Sequence, residues 1–145
     1  MIDVEPATPE DRAAIRALLA ANALPVDDLA QSPATFLLAR IDGALAGVVG
    51  LEAFGASALL RSLCVAGDHR NRGVARSLCA AIEAVARGLG VRDLYLLTTT
   101  AAAFFERQGF SVAARDVATA EIRGTAEFRD LCPSTATFMR KPLPA

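Results

Sequence analysis

Two apolar, strand-like runs, TFLLARI and LAGVVGLEAF, flank Asp42-Gly43, a dipeptide suited to a tight hairpin turn. This pattern constrains the fold more than any other feature, because it commits the middle of the chain to an antiparallel pair. Gly55-Ala56 turns the chain once more into SALLRSLCV, the third strand of a meander. Whatever precedes and follows must cover the faces of that sheet.

The flanking segments supply the cover. Residues 2–5 alternate and read as an edge strand. TPEDRAAIRALLAAN begins as a helix should, with Thr8 as N-cap, Pro9 at the first helical position and acids in the first turn. Residues 22–33 are a turn-rich connection with room for a short helix around residues 27–30. In VARSLCAAIEAVARGLG, Val74, Leu78, Ile82 and Val85 recur at helical spacing before Gly88 and Gly90. DLYLLTTT reads as a buried strand, AAAFFERQGF as a short helix ending at Gly109, and FSVAAR as a strand. ATAEIRGTAEFRDLCPS reads as two helical turns capped by Thr119 and Thr125, and TATFMR closes the chain as a strand. The expected architecture is α/β (α+β): one domain over residues 1–145, with a mixed, mostly antiparallel sheet of about seven strands and helices on both faces.

Composition narrows the function. A hydrophobic content of 53% excludes a disordered chain, and apolar runs broken well short of 18 residues exclude a membrane span. A net charge of −1 leaves no global basic footprint for nucleic acid. The acidic start, MIDVEPATPEDR, lacks the basic and apolar regions of a signal peptide, so a cytoplasmic location is expected. Cys64, Cys79 and Cys132 are odd in number and far apart, without a CxxC pair. Neither a disulfide framework nor a metal site is expected, and buried thiols are the simpler reading.

The stretch GDHRNRGVARSL joins the third strand of the meander to the long helix. The first N–H groups of a helix lack intrahelical partners and carry the positive end of its dipole. Gly73 lets a ligand reach the backbone, Ala75 keeps the wall low, and Arg70, Arg72 and Arg76 add cations that grip phosphate oxygens in pairs. The stretch reads as a pyrophosphate site, though solvated helix-start arginines are the alternative. It lacks both the GxxxxGK[ST] and the GxGxxG pattern of nucleotide loops.

RNRGVA resembles the R/Q-x-x-G-x-G/A signature that follows the fourth strand in the GNAT superfamily of N-acetyltransferases, and FFERQGF resembles its second hallmark. The strand order is similar over essentially the whole chain. The resemblance implies that acetyl-coenzyme A places its pyrophosphate on Arg70, Asn71, Arg72, Gly73, Val74, Ala75 and Arg76. Its pantetheine arm would pair with Leu63, Cys64 and Val65, beside Phe104 and Phe105, in a splay between strands 4 and 5. A backbone N–H at Leu63 or Cys64 would polarise the thioester carbonyl. YLLTTTAAAFFERQGF and TAEFRDLCPSTATFM further resemble small N-acetyltransferases of bacterial arsenic-resistance operons. They imply a small, anionic, amino-acid-like acceptor such as an arsenical or phosphinic glutamate analogue. Monomer and homodimer both remain open.

The family's usual general acid is a tyrosine where this chain has Phe105. That departure keeps alive a second class of function, an acyl-coenzyme A-binding regulatory or degenerate module without turnover. A thiol of pKa about 8.5 leaves as thiolate with a handicap of only about 2 kcal/mol at pH 7. Deprotonating an α-amine near pKa 8 costs about 1 kcal/mol, against roughly 4–5 for a lysine-like amine. Glu52, which interrupts an apolar strand, is a candidate base, or else the partner of Arg61 on the adjacent strand. Barring a bulge, alternation puts Arg61 on the face of Leu59 and Leu63, beside the cleft, where it could bind an acceptor carboxylate bidentately. Thr98, Thr99 and Arg123 are further candidate substrate contacts. Tyr95 reads as a packed aromatic, and the pairs Asp27-Asp28 and Glu127/Asp130 as solvated charges.

Overall fold

A computed structural model describes residues 1–29, 32–132 and 135–144. Seven strands, β1 (Ile2–Pro6), β2 (Thr35–Ile41), β3 (Ala44–Phe54), β4 (Ser57–Val65), β5 (Asp93–Thr98), β6 (Ser111–Val112) and β7 (Thr137–Pro142), form one sheet in the order β1-β2-β3-β4-β5-β7-β6. Only the β4–β5 pair is parallel. The expected hairpin is present: Ile41 faces Ala44, and Asp42 and Gly43 both take positive φ (51° and 81°), as a tight turn between twisted strands requires. The strand expected from FSVAAR shortens to two residues.

Helices α1 (Arg12–Ala21), α2 (Val74–Gly88), α3 (Ala102–Arg107) and α4 (Ala120–Arg123) cover both faces. On one face Leu78, Ile82 and Ala86 of α2 and Phe105 of α3 pack against Leu51, Leu60, Leu94 and Leu96. On the other, Ile15 and Leu19 of α1 meet Phe36, Leu38 and Val48, while Ile122 of α4 meets Leu59, Tyr95 and Phe138. Thr8 opens the first helical turn as expected, with the Asp11 carboxylate accepting its N–H at 2.8 Å. Thr119 and Thr125 likewise cap, accepting from the N–H of Ile122 and Phe128. The connection expected to hold a short helix is a turn at residues 27–29; Ala30 lies outside the described residues, as do Pro133 and Ser134 of the expected C-terminal turns.

One irregularity matters for everything below. Val48 pairs with Cys64 but Gly50 pairs with Arg61, so β4 holds one extra residue there, and Ser62 takes φ +61°. This β-bulge reverses the alternation. Leu59 and Arg61 face the α4 side, whereas Leu63 and Val65 pack with the α2 cluster and Cys64 with the α1 cluster. Arg61 shares a face with Leu59 but not with Leu63, because the bulge excepted in the alternation argument is present.

Gly47 lies under the start of α2, where an added Cβ would sit 2.8 Å from the Cys64 carbonyl and 3.0 Å from both Leu78 and Val74. Gly47→Ala is expected to destabilise the fold by about 1–3 kcal/mol through overpacking, read as a lower urea midpoint at unchanged m.

Candidate active site

The parallel pairing of β4 with β5 lasts only three residues, Ser57 with Asp93, Ala58 with Leu94 and Leu59 with Tyr95. Beyond it the strands part. The bulge in β4 falls in this unpaired stretch, so Ser62 and Leu63 have no register partner on β3 and none on β5. The opening is a cavity of about 550 Å³. Residues 60–65 of β4 and 96–98 of β5 line it, with the turn at residues 22–27 along one side and Glu127, Leu131 and Cys132 along another. The expected splay is therefore present, and Leu63, Cys64 and Val65 line it on the β4 side.

Past Val65 the chain makes a short turn over Gly67–His69 and enters α2 at Val74. Gly73 is the N-cap with φ +80°, a conformation that L side chains rarely adopt. Asn71, at φ +65°, helps the loop to turn. The first helical bond runs from the Ser77 N–H to the Gly73 carbonyl at 3.0 Å, which leaves the N–H groups of Val74, Ala75 and Arg76 as the unpaired first turn. Arg70, Arg72 and Arg76 are all exposed around them. Arg70 also lines the cavity, and its Nη2 donates to Asn22 Oδ1 at 2.6 Å. A helix start with bare N–H groups and three exposed arginines thus adjoins one end of the cleft. These residues fit an elongated ligand with a diphosphate at one end: bare amides and guanidinium groups by the loop, then unpaired β4 backbone along the channel.

The acidic residues differ from the sequence reading. Arg61 has no exposed side-chain surface and engages three carboxylates. Its Nη1 and Nη2 donate to Asp28 at 2.5 and 2.8 Å. Nη1 also donates to Glu52 at 2.8 Å, and Nε lies 3.1 Å from Glu127. Glu52 further accepts from the Ser32 hydroxyl at 2.9 Å and is 3% exposed. Of the two roles expected for Glu52, the geometry presents the ion pair with Arg61. Asp28 and Glu127 are not solvated charges: one clamps the guanidinium, and the other is buried beside it. Burial, with Asp28 and Glu52 nearby, pushes the Glu127 carboxyl up to about 7 against the opposing pull of Arg61. Neither residue carries a local signal of burial, because the partner that explains both is remote in sequence.

The remaining candidates divide. Thr98 and Thr99 line the cavity, and Thr98 Oγ1 also accepts the Ala101 N–H at 3.0 Å at the start of α3. Phe105 lines the cavity too, packed edge-on against Phe104 and Phe110, with no hydroxyl to offer. Arg123 is exposed and donates to the Asp116 carbonyl, away from the cavity-lining residues. Tyr95 stacks on Phe138 within the core. Burial raises all three thiols, Cys79 and Cys132 to about 12, so they are protonated at neutral pH. Among the described residues no group of three or more His, Cys, Asp or Glu is placed to hold a metal, and no helix is long and apolar enough to cross a membrane.

No curated protein sequence matches the chain. Its fold is similar to that of N-acetylglutamate synthase from Neisseria gonorrhoeae, solved with coenzyme A and N-acetyl-glutamate (TM-score 0.85, 22% identity, all of this chain). The chain spans about a third of that protein's length, 36%. Rv2747 from Mycobacterium tuberculosis, in complex with CoA and NLQ, matches end to end (TM-score 0.83, 24% identity, 98% of this chain and 99% of that one). So does a putative acyl-CoA N-acyltransferase from Klebsiella pneumoniae (TM-score 0.79, 24% identity, 99% of each). Residues 32–112, more than half of the chain and including β2 to β5 with the arginine loop, match the Acetyltransferase (GNAT) domain, and the chain belongs to that family.

Proposed function

We propose that this chain transfers the acetyl group of acetyl-coenzyme A to the amine of a small, amino-acid-like acceptor. The observation that carries the reading is the continuity of the cleft. Unpaired β4 backbone at the bulge runs to the bare helix start ringed by Arg70, Arg72 and Arg76. In this reading the amides of residues 73–76 and those guanidinium groups hold the diphosphate, with Asn71 shaping the loop. The peptide groups of Leu63, Cys64 and Val65 align the pantetheine arm. Acetyl-coenzyme A supplies an activated acyl group, and an N–H at Leu63 or Cys64 polarises its carbonyl.

Support for an amino-acid acceptor comes from the similar folds, which were solved with N-acetyl-glutamate and with NLQ. Support for an arsenical or phosphinic glutamate analogue is the resemblance of the threonine-rich and C-terminal motifs. Arg61, the expected anchor for an acceptor anion, has three carboxylates on it and no charge to spare. We therefore place the acceptor's amine, not its anionic end, against that wall. Arg70 donates to the neutral Asn22, which leaves its charge available to an acceptor carboxylate or to phosphate. Phe105 favours one rival reading, a binding module without turnover, since no hydroxyl replaces the usual acid there.

Calorimetry with coenzyme A tests the donor site. Gly73→Ala is expected to weaken binding at least tenfold, because an L side chain is strained at φ +80° and the loop must shift to relieve it. Thiol release from acetyl-coenzyme A with L-glutamate, L-glutamine and a phosphinic glutamate analogue tests transfer; binding without release from any of them supports the module instead. Arg61→Ala strands two buried acids and a half-buried third, and is expected to lower unfolding free energy by about 3–5 kcal/mol in urea denaturation.

A further inference from the structure

We propose that Glu127 is the catalytic base that takes the proton from the acceptor amine, an inference that rests on the transfer reading above. Three acids share the Arg61 guanidinium, yet only Glu127 also lines the cleft. Asp28 is held bidentately and Glu52 is held by both Arg61 and Ser32. Glu127 meets Nε at 3.1 Å, and its other oxygen lies 3.9 Å from the Cys132 thiol, a weak donor. It is therefore the least compensated of the three and the one that borders the cleft.

The charged and titratable groups facing it are Arg61 from β4, Glu52 from β3, Asp28 from the turn after α1, and Cys132 from its own segment. One guanidinium cannot neutralise three carboxylates, so a proton is readily accepted there near neutral pH. In the proposed step an ammonium N–H bond breaks and an O–H bond forms on Glu127, leaving the electron pair on nitrogen. That pair forms the N–C bond to the acetyl carbon as the C–S bond breaks, and coenzyme A leaves as thiolate. The second proton on nitrogen then neutralises the thiolate.

Wild type should lose kcat/KM tenfold per pH unit below about pH 7. Glu127→Gln should exchange this limb for one set by the acceptor amine's own, higher pKa and fall about 10²–10⁴-fold at pH 7. The deficit should shrink towards pH 9–10, where solvent delivers neutral amine, while coenzyme A affinity stays within threefold. Glu52→Gln, which removes a negative neighbour, should move the limb to lower pH without abolishing it, and serves if Glu127→Gln does not fold. In the ligand-free protein, carbon NMR should show a side-chain carboxyl titrating near pH 7 that moves down in Glu52→Gln. A midpoint below 5, a limb unmoved in Glu52→Gln, or a deficit in Glu127→Gln that is independent of pH overturns the base alone. Absence of thiol release from wild type with every amine overturns the transfer reading and the base with it.

Discussion

A buried guanidinium ties to the sheet two segments that strand pairing alone does not bring there. Arg61 stands on the central strand β4, Asp28 on the turn after α1, Glu52 on β3, and Glu127 on the segment before β7. Removing charges from water costs several kcal/mol each, and the geometry must return that through close pairing. Two acids achieve it and the third does so poorly. The arrangement therefore does two things at once: it fixes both flanking walls of the cleft to the sheet, and it holds one carboxylate in an unfavourable ionised state where a ligand can reach it.

The cleft depends equally on what the sheet fails to do. Strands β4 and β5 pair over three residues and then separate, and the extra residue at Ser62 keeps β4 from closing on β3 at the same level. Peptide groups that would otherwise be consumed in a ladder are left for a ligand. The same bulge sends Leu63 and Val65 to the α2 side while Arg61 stays opposite. The packed hydrophobic wall and the charged wall of one strand are thus separated by a single residue.

Much of this was legible in the sequence, for local reasons. The Asp42-Gly43 turn, the Thr8 start and the Gly73 helix entry each announce themselves within a few residues, because backbone conformation restricts which side chains fit. The arginine loop was legible because glycine and guanidinium groups beside an apolar helix have a direct electrostatic meaning. The bulge was not: Ser62 carries none of the usual marks of a left-handed residue, and strand alternation was extrapolated through it. The burial of Asp28 and Glu127 was invisible for another reason. Asp28 lies 33 positions from the arginine that buries it, and nothing in EFRDLC distinguishes a solvated glutamate from a buried one. Glu52 and Arg61, each an interruption in an apolar strand, were conspicuous, and their mutual pairing accounts for both.

The two sides of the cleft come from different stretches of the chain. The arginine loop, β4 and β5 lie inside the family-matched residues 32–112, whereas the turn at residues 22–27 and the Glu127–Leu131 segment lie outside them. Such a division makes the molecule modular: substitutions in the peripheral stretches can reshape one wall of the cleft while the opposite wall and the helix entry stay untouched.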